Sequence, residues 1–144
     1  MNEPDPAGSG PGLLRRLASI TYDGLLLFSV LFLATAIVLP LNAGRAIPAH
    51  QPLYDAYLLG VSFAYFGWFW THGGQTLGMK AWRVRLRSVP GPPVSWWQAL
   101  ARFSGAIVSW LPLGMGFWWC LLDPTRCAWH DRWSRTRLVH EPHP

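Results

Sequence analysis

The stretch LASITYDGLLLFSVLFLATAIVL, from Leu17 to Leu39, decides the fold class, because Asp23 is its only charged residue. At about 1.5 Å per residue a helix of this length extends about 34 Å, which is enough to cross a hydrocarbon layer of about 30 Å. Pro40 then ends the helical pattern. The stretch therefore predicts a first membrane-spanning helix that contains one buried charge.

A cleaved signal peptide is the alternative interpretation of this stretch. Arg15 and Arg16 precede the apolar run, and Ala34-Thr35-Ala36 resembles a cleavage site. The aspartate inside the apolar region and the start of the run far from Met1 both favour a retained membrane anchor. Residues 1–12 are rich in Pro and Gly and predict a disordered polar tail.

Two further apolar segments follow the first. Residues 53–70 predict a second span, whereas residues 94–122 are long enough for a third but contain Arg102 and are broken around Pro112. Four basic residues follow Leu122, and the rule that basic flanks remain cytoplasmic favours a segment that re-enters. We therefore predict an all-α membrane protein with two transmembrane helices and a broken third helical segment, either a re-entrant hairpin or a third span.

Two short segments show the alternation of a strand. Residues 82–87 alternate apolar with basic side chains, and residues 136–140 have a similar β-type pattern. Both lie on the cytoplasmic side in the re-entrant topology, where pairing would satisfy their backbone groups. We therefore predict a short β element on the cytoplasmic face.

The composition agrees with a membrane protein, since 51% of the residues are hydrophobic and 13% are charged. Most of the ten Trp residues lie near ends of apolar segments, where the membrane interface favours them. The net charge of +5 comes from basic residues that flank these segments, which predicts contact with anionic lipid headgroups and not with nucleic acid. Within residues 53–70, a small side chain recurs every four positions and predicts a helix-packing face formed by Ala56, Gly60 and Ala64.

Asp23 raises the question of function. Arg16, Ser19 and Asp23 share one helix face, but Arg16 and Asp23 are about 10 Å apart along the axis. We therefore expect the cationic partner of Asp23 on another segment, at Arg102 or near Arg132. A carboxylate at this depth is either a proton or cation site or one member of a structural clamp, and the sequence leaves both open.

The segment His130-Asp131-Arg132 is the second polar cluster. A histidine beside a carboxylate can support acid–base chemistry. No Ser or Cys nucleophile motif and no metal-ligand spacing accompanies it in the sequence. We therefore predict that the protein is not an enzyme and has no catalytic residues, no cofactor and no metal site.

Four motifs in order resemble the RDD family. They are Arg16 with Asp23, GQTLGMK at 74–80, ALAR at 99–102, and HDR at 130–132 followed by TRLV at 136–139. The family name refers to one arginine and two aspartates, which here correspond to Arg16, Asp23 and Asp131. Two departures are Met79, which is inserted before Lys80 in the usual Gly-x-Thr-x-Gly-Lys pattern, and Ser134-Arg135 in place of Ala-Gly.

The resemblance implies a small protein of the bacterial inner membrane, with one RDD-type membrane domain at residues 13–140 and a short tail at 141–144. The distribution of basic flanks predicts a multi-pass topology with a cytoplasmic N terminus. Transport is the role proposed for the family, and cation–proton exchange is suggested for some members. The supporting motif residues are Ser19, Gly74, Thr76, Gly78, Lys80, Arg102, His130 and Arg132.

Two functions follow as alternatives. In the first, the protein is a transporter or transport-associated subunit in which Asp23 takes up a proton or cation, and a homo-oligomer or a membrane-protein partner completes the pathway. In the second, it is a non-catalytic scaffold or regulatory subunit, and Arg16, Asp23, Arg102 and Asp131 form a structural clamp.

Overall fold

A computed structural model describes residues 11–89, 91, 93–111, 119, 122 and 128–141. Its elements in chain order are helix α1 (Leu13–Val38), a 3-10 helix (Leu39–Asn42), α2 (Pro52–His72), α3 (Leu77–Ala81), strand β1 (Val84–Ser88), α4 (Trp96–Trp110), α5 (Trp129–Trp133) and strand β2 (Thr136–His140). The described part of the chain is therefore mostly helical, with one two-stranded sheet.

Helix α1 begins four residues before the predicted first span and ends next to its predicted limit. Together with the 3-10 helix it is the one described helix long and apolar enough to cross a membrane. Its large apolar side chains face outward, and Leu25, Phe28 and Phe32 are 66%, 70% and 70% exposed. An exposed apolar surface of this extent suits a hydrocarbon environment and not water.

The second and third apolar segments also form helices. Helix α2 extends slightly beyond the predicted 53–70, and α4 covers the first part of 94–122. Ser95 and Gln98 start α4 with reciprocal side-chain bonds to each other's backbone N–H, at 3.2 and 3.1 Å. The predicted break around Pro112 lies outside the described residues.

Aromatic side chains join α2 to α4. The rings of Phe63 and Phe103 have centroids 5.5 Å apart. The predicted packing face of small residues was wrong for the described chain, because Ala56, Gly60 and Ala64 are all exposed. A Cβ atom at Gly60 would meet nothing within 4 Å. The contact between α2 and α4 uses the aromatic face that contains Phe63 instead.

The predicted pairing of the two short strands is confirmed. Strands β1 and β2 are antiparallel, with Val84 opposite His140 and Ser88 opposite Thr136. Strand β1 begins two residues after the predicted start, because Arg83 has a φ of 55° that does not fit a strand. We call residues 74–88 and 128–140 together the cap.

The apolar core lies where the cap meets α2 and α4. Val84, Leu86 and Leu138 of the sheet are buried with Met79, Val94, Ala99 and Trp70. The cap rests on the N-terminal half of α1, where Arg15 Nη1 lies 3.0 Å from His140 Nδ1. At the other end of α1, the hydroxyl groups of Thr35 and Tyr54 join it to α2 at 2.6 Å. The cap therefore contacts α1 near its N-terminal end, whereas α2 is bonded to α1 near its C-terminal end.

Candidate functional site

Asp131 lies between two arginines that come from different helices. Arg16 Nη2 of α1 is 3.2 Å from one carboxylate oxygen, and Arg102 Nη1 of α4 contacts the other. The three side chains are 5%, 7% and 1% exposed for Arg16, Arg102 and Asp131. One buried carboxylate therefore connects α1, α4 and α5.

The local structure around Asp131 positions it for this role. Its Oδ2 accepts the backbone N–H of Ala128 at 3.0 Å, so the carboxylate also caps the N-terminus of α5. Arg102 donates to Thr136 Oγ1 at 3.1 Å and lies 5.3 Å from the centre of the Trp70 ring. The guanidinium is thus held by a carboxylate, a hydroxyl and an aromatic face.

The electrostatics of the cluster keep Asp131 ionised. Burial alone would raise the pKa of Asp131, but the positive charges of Arg102 and Arg16 and the Ala128 N–H hold it well below its usual value. Burial lowers the pKa of His130 to about 3, and the positive charge of Arg102 acts in the same direction. The contact of 3.6 Å between His130 and Asp131 therefore involves a neutral imidazole near pH 7.

Asp23 has different partners from those predicted. Its carboxylate accepts the Thr76 hydroxyl and the Gly78 backbone N–H, the latter at 2.9 Å. The expected cationic partner, Arg102 or a residue near Arg132, was wrong, and within the described residues Asp23 forms no ion pair. Arg102 is already bound to Asp131, and Asp23 instead accepts hydrogen bonds from neutral donors in the segment 74–80.

Gly78 permits this contact. A Cβ atom at position 78 would lie 2.4 Å from the backbone oxygen of Ser19 and 2.7 Å from Asp23 Cγ. Thr76 caps α3 by accepting the Met79 N–H at 3.2 Å while its hydroxyl donates to Asp23. Thr76 and Gly78 are therefore placed by α3 against the buried face of α1.

The preceding residues attach the same loop to β1. Gly74 has a φ of 67°, and a Cβ there would lie 2.5 Å from the Leu86 oxygen. Gln75 donates to Val84 O at 3.0 Å and accepts from Arg85 at 3.2 Å. The sequence did not single out Gln75, which occupies a variable position of the motif. A polar side chain directly after two glycines, close before a basic strand, was the available signal.

Lys80 and Arg132 lie outside this arrangement, and both side chains are exposed. The inserted Met79 has a structural explanation, since its side chain joins the apolar core of the cap and is 6% exposed. Lys80 then follows on the outer side of the short helix.

A cavity of about 310 Å³ adjoins both charge centres. Its polar lining comes from Arg16, Ser19, Asp23, Thr76, Arg102 and His130. The remaining wall is mainly apolar and includes Leu27, Phe66 and Phe103. The structure therefore brings most of the predicted site residues around one cavity between the cap and the helices.

The described residues contain no group of three or more His, Cys, Asp or Glu side chains that could hold a metal ion. Two guanidinium groups beside the cavity also oppose the entry of a cation. The arrangement can hold the cap on the helices, and it presents one carboxylate, Asp23, to the cavity.

Comparison with known proteins gives one match. A model of the RDD family matches residues 10–135, which include the Arg16–Asp131–Arg102 cluster and Asp23. No curated protein and no solved structure matches the chain.

Proposed function

The chain belongs to the RDD family, and from this premise we propose that it is a non-enzymatic, multi-pass scaffold or regulatory subunit of the bacterial inner membrane. Its buried charges act as a structural clamp between the membrane helices and the cap. The observation that carries the proposal is the carboxylate of Asp131, which binds Arg16 of α1 and Arg102 of α4 while it caps α5.

The membrane topology forms part of the proposal. Helices α1 and α2 cross the membrane in opposite directions, and residues 94–122 re-enter it. The cap lies at the end of α1 where Arg15 and Arg16 are located, and it contains the basic segment 83–87. Basic residues remain on the cytoplasmic side, so the N terminus and the cap are cytoplasmic. A GFP fusion at Pro144 should fluoresce, whereas an active alkaline phosphatase fusion there would contradict the topology.

The clamp is tested by Asp131→Asn. The substitution leaves two buried guanidinium groups without their carboxylate, and removal of one partner from a buried ion pair costs about 3–5 kcal/mol. We expect the variant to accumulate poorly in membranes and to elute as aggregate in size-exclusion chromatography.

Glu141→Gln is the matched control. It is also an acid-to-amide change at an ion pair, 3.1 Å from Arg85, but both side chains are more than a third exposed. An exposed pair contributes about 0–1 kcal/mol, so this variant should accumulate normally. Equal accumulation of the two variants would contradict the clamp.

A transport role is the second candidate, because Asp23 adjoins the cavity of about 310 Å³ and accepts hydrogen bonds from neutral donors. In this role Asp23 takes up a proton or cation, Arg16, Arg102 and Asp131 set its affinity, and a homo-oligomer or a membrane-protein partner completes the pathway. Acidic side chains inside a membrane span often mark ion pathways and proton relays.

Asp23→Asn separates the two candidates. The variant keeps the size of the side chain but loses its charge. Its amide nitrogen is itself a donor, so it cannot accept the hydrogen bond from whichever of the two donors, the Thr76 hydroxyl or the Gly78 N–H, it faces. Normal accumulation with loss of an ion-driven pH change in proteoliposomes supports transport. Poor accumulation supports the clamp.

A further inference from the structure

A second cavity, of about 300 Å³, lies beside the cap and is separate from the Asp23 site. It is formed by the C-terminal end of α2, by β1 and by the residues that precede α4. Its lining includes Trp70, His72, Gly73, Arg85, Arg87 and Val94. The clamp described above uses neither arginine of this cavity.

Two buried donors in the lining residues have no acceptor. The Nε atom of Arg85 and the Nε1 atom of Trp70 are buried and form no hydrogen bond within the described part of the chain. Trp70 as a whole is 7% exposed and lines both cavities. Buried donors are nearly always paired in proteins, so a ligand that supplies acceptor oxygens fits this place.

The charge of the cavity selects an anion. Arg85 and Arg87 share a single carboxylate, that of Glu141, at 3.1 and 3.6 Å. Two positive charges therefore face one negative charge, and no acidic side chain is among the described residues that line the cavity. Within the described residues Arg85 Nη1 contacts Glu141 and Nη2 donates to Gln75, so Nε–H is the donor that Arg85 offers to a phosphate oxygen.

Exposed tryptophans contact His72, which lines the cavity. The rings of Trp68 and Trp96 lie against His72, with centroids 3.9 and 6.3 Å from its ring. They are 57% and 50% exposed, and the neighbouring Trp97 is 78% exposed. Exposed tryptophans of this kind occupy the membrane interface, at the depth of the lipid headgroups.

We propose that this cavity binds the phosphodiester group of an anionic phospholipid of the cytoplasmic leaflet. The inference rests on the membrane placement in the proposed function. Arg85 and Arg87 bind the phosphate, the buried Arg85 Nε–H donates to it, and the acyl chains extend along the apolar surface beside Trp96. The anionic cytoplasmic leaflet supplies such lipids at high local concentration.

The test measures lipid bound to the purified full-length protein by native mass spectrometry in detergent. The protein is titrated with phosphatidylglycerol, with zwitterionic phosphatidylcholine, or with inorganic phosphate. We expect tighter binding of phosphatidylglycerol than of phosphatidylcholine and no binding of inorganic phosphate in the same range. The double variant R85Q/R87Q should bind phosphatidylglycerol at least about tenfold more weakly, as expected for lost charged hydrogen bonds.

The control is the double variant K80Q/R83Q. It also removes two positive charges from this part of the chain, but neither residue lines the cavity and both side chains are exposed. We expect it to bind phosphatidylglycerol within about twofold of the original protein, as ordinary surface charges do. Equal losses in the two double variants would mean general surface attraction and would overturn the proposal.

Arg85→Lys tests the buried donor, because it keeps the charge but removes Nε–H, together with the Nη2 bond to Gln75. We expect it to bind phosphatidylglycerol more weakly than the original protein. Unchanged affinity would overturn the assignment of this atom to the phosphate. Binding of inorganic phosphate as tight as that of phosphatidylglycerol would overturn the lipid as ligand.

Membrane accumulation of R85Q/R87Q separates this proposal from the proposed function. The variant should accumulate better than Asp131→Asn, because it keeps the clamp and loses only the contacts of Arg85 and Arg87 with Gln75 and Glu141. If Asp131→Asn accumulates poorly while the original protein shows no preference for phosphatidylglycerol, the lipid site alone is refuted.

Discussion

A double-mutant cycle between Arg102 and Asp131 measures how strongly the clamp couples α4 to the cap. Arg102→Gln removes the ion pair, the bond of 3.1 Å to Thr136 and the contact of 5.3 Å with the Trp70 ring. Loss of a buried ionic partner costs about 3–5 kcal/mol, and a desolvated cation–π contact adds about 1–2 kcal/mol. We therefore expect the single substitution to lower the free energy of unfolding by about 4–7 kcal/mol.

The second step of the cycle combines Arg102→Gln with Asp131→Asn. In the double variant both charges of the pair are removed, so the Asp131 carboxylate is no longer buried without Arg102. Its loss in the free energy of unfolding is therefore smaller than the sum of the two single losses. We expect a coupling energy of about 2–3 kcal/mol, at the upper end of the range for residues in contact. Arg16 remains in the double variant and limits the recovery.

The assay is thermal unfolding of the detergent-purified protein. The measured quantity is the fraction of protein that remains monodisperse after heating. Glu141→Gln combined with Arg85→Gln is the control cycle, since it removes an exposed pair. Its coupling energy should not exceed about 1 kcal/mol. Additive costs at Arg102 and Asp131 would refute the reasoning, because they would mean that the two buried charges contribute independently.

Three further predictions concern the cap. Gly78→Ala places a Cβ atom 2.4 Å from the Ser19 oxygen and should cost about 1–3 kcal/mol in thermal unfolding, whereas Gly60→Ala meets no atom and should be neutral or stabilising. Gln75→Ala loses two hydrogen bonds to the β1 segment and should cost about 1–3 kcal/mol, and an unchanged melting temperature would argue against the loop attachment. His130 has a pKa of about 3 in the folded state and is neutral there, whereas in the unfolded chain it binds a proton below about pH 6.5. The free energy of unfolding should therefore decrease as the pH is lowered from about 6.5 to about 3, by up to about 1.4 kcal/mol per pH unit. His130→Gln should flatten this slope in melting curves recorded from pH 7 to pH 4, and an unchanged slope would contradict the assignment.

Regular patterns in the sequence predicted the larger elements. The apolar run around Asp23 predicted α1, and the alternation at 82–87 and 136–140 predicted two strands that pair. These features depend on the local period of apolar side chains, which the sequence displays directly. The start of β1 was less accurate, because the left-handed conformation of Arg83 is a property of the packed turn.

The partners of the charges were not predictable in the same way. The excess of arginines in the sequence predicted a cationic partner for Asp23. In the structure its partners are the Thr76 hydroxyl and the Gly78 N–H. Backbone donors have no sequence signature, and one arginine can bind only the carboxylate that the fold brings to it. The pairing of Arg16 and Arg102 with Asp131 therefore depends on how α5 packs against α1 and α4.

The small-residue face on α2 failed for a related reason. Ala56, Gly60 and Ala64 have the spacing of a close helix contact, yet bulky rings such as Phe63 make the contact with α4. Spacing defines a face of the helix, but it does not identify the face that a neighbour covers.

Amide hydrogen exchange in Asp131→Asn tests the clamp most directly, because it locates the part of the molecule that opens. Glu141→Gln and the original protein are measured beside it in lipid nanodiscs. The account predicts faster exchange in the cap, at residues 74–88 and 128–140, with no change in α1 at 25–33, outside the contact with the cap. Exchange in the cap as slow as that in Glu141→Gln would contradict the claim that Asp131 holds the cap on α1 and α4.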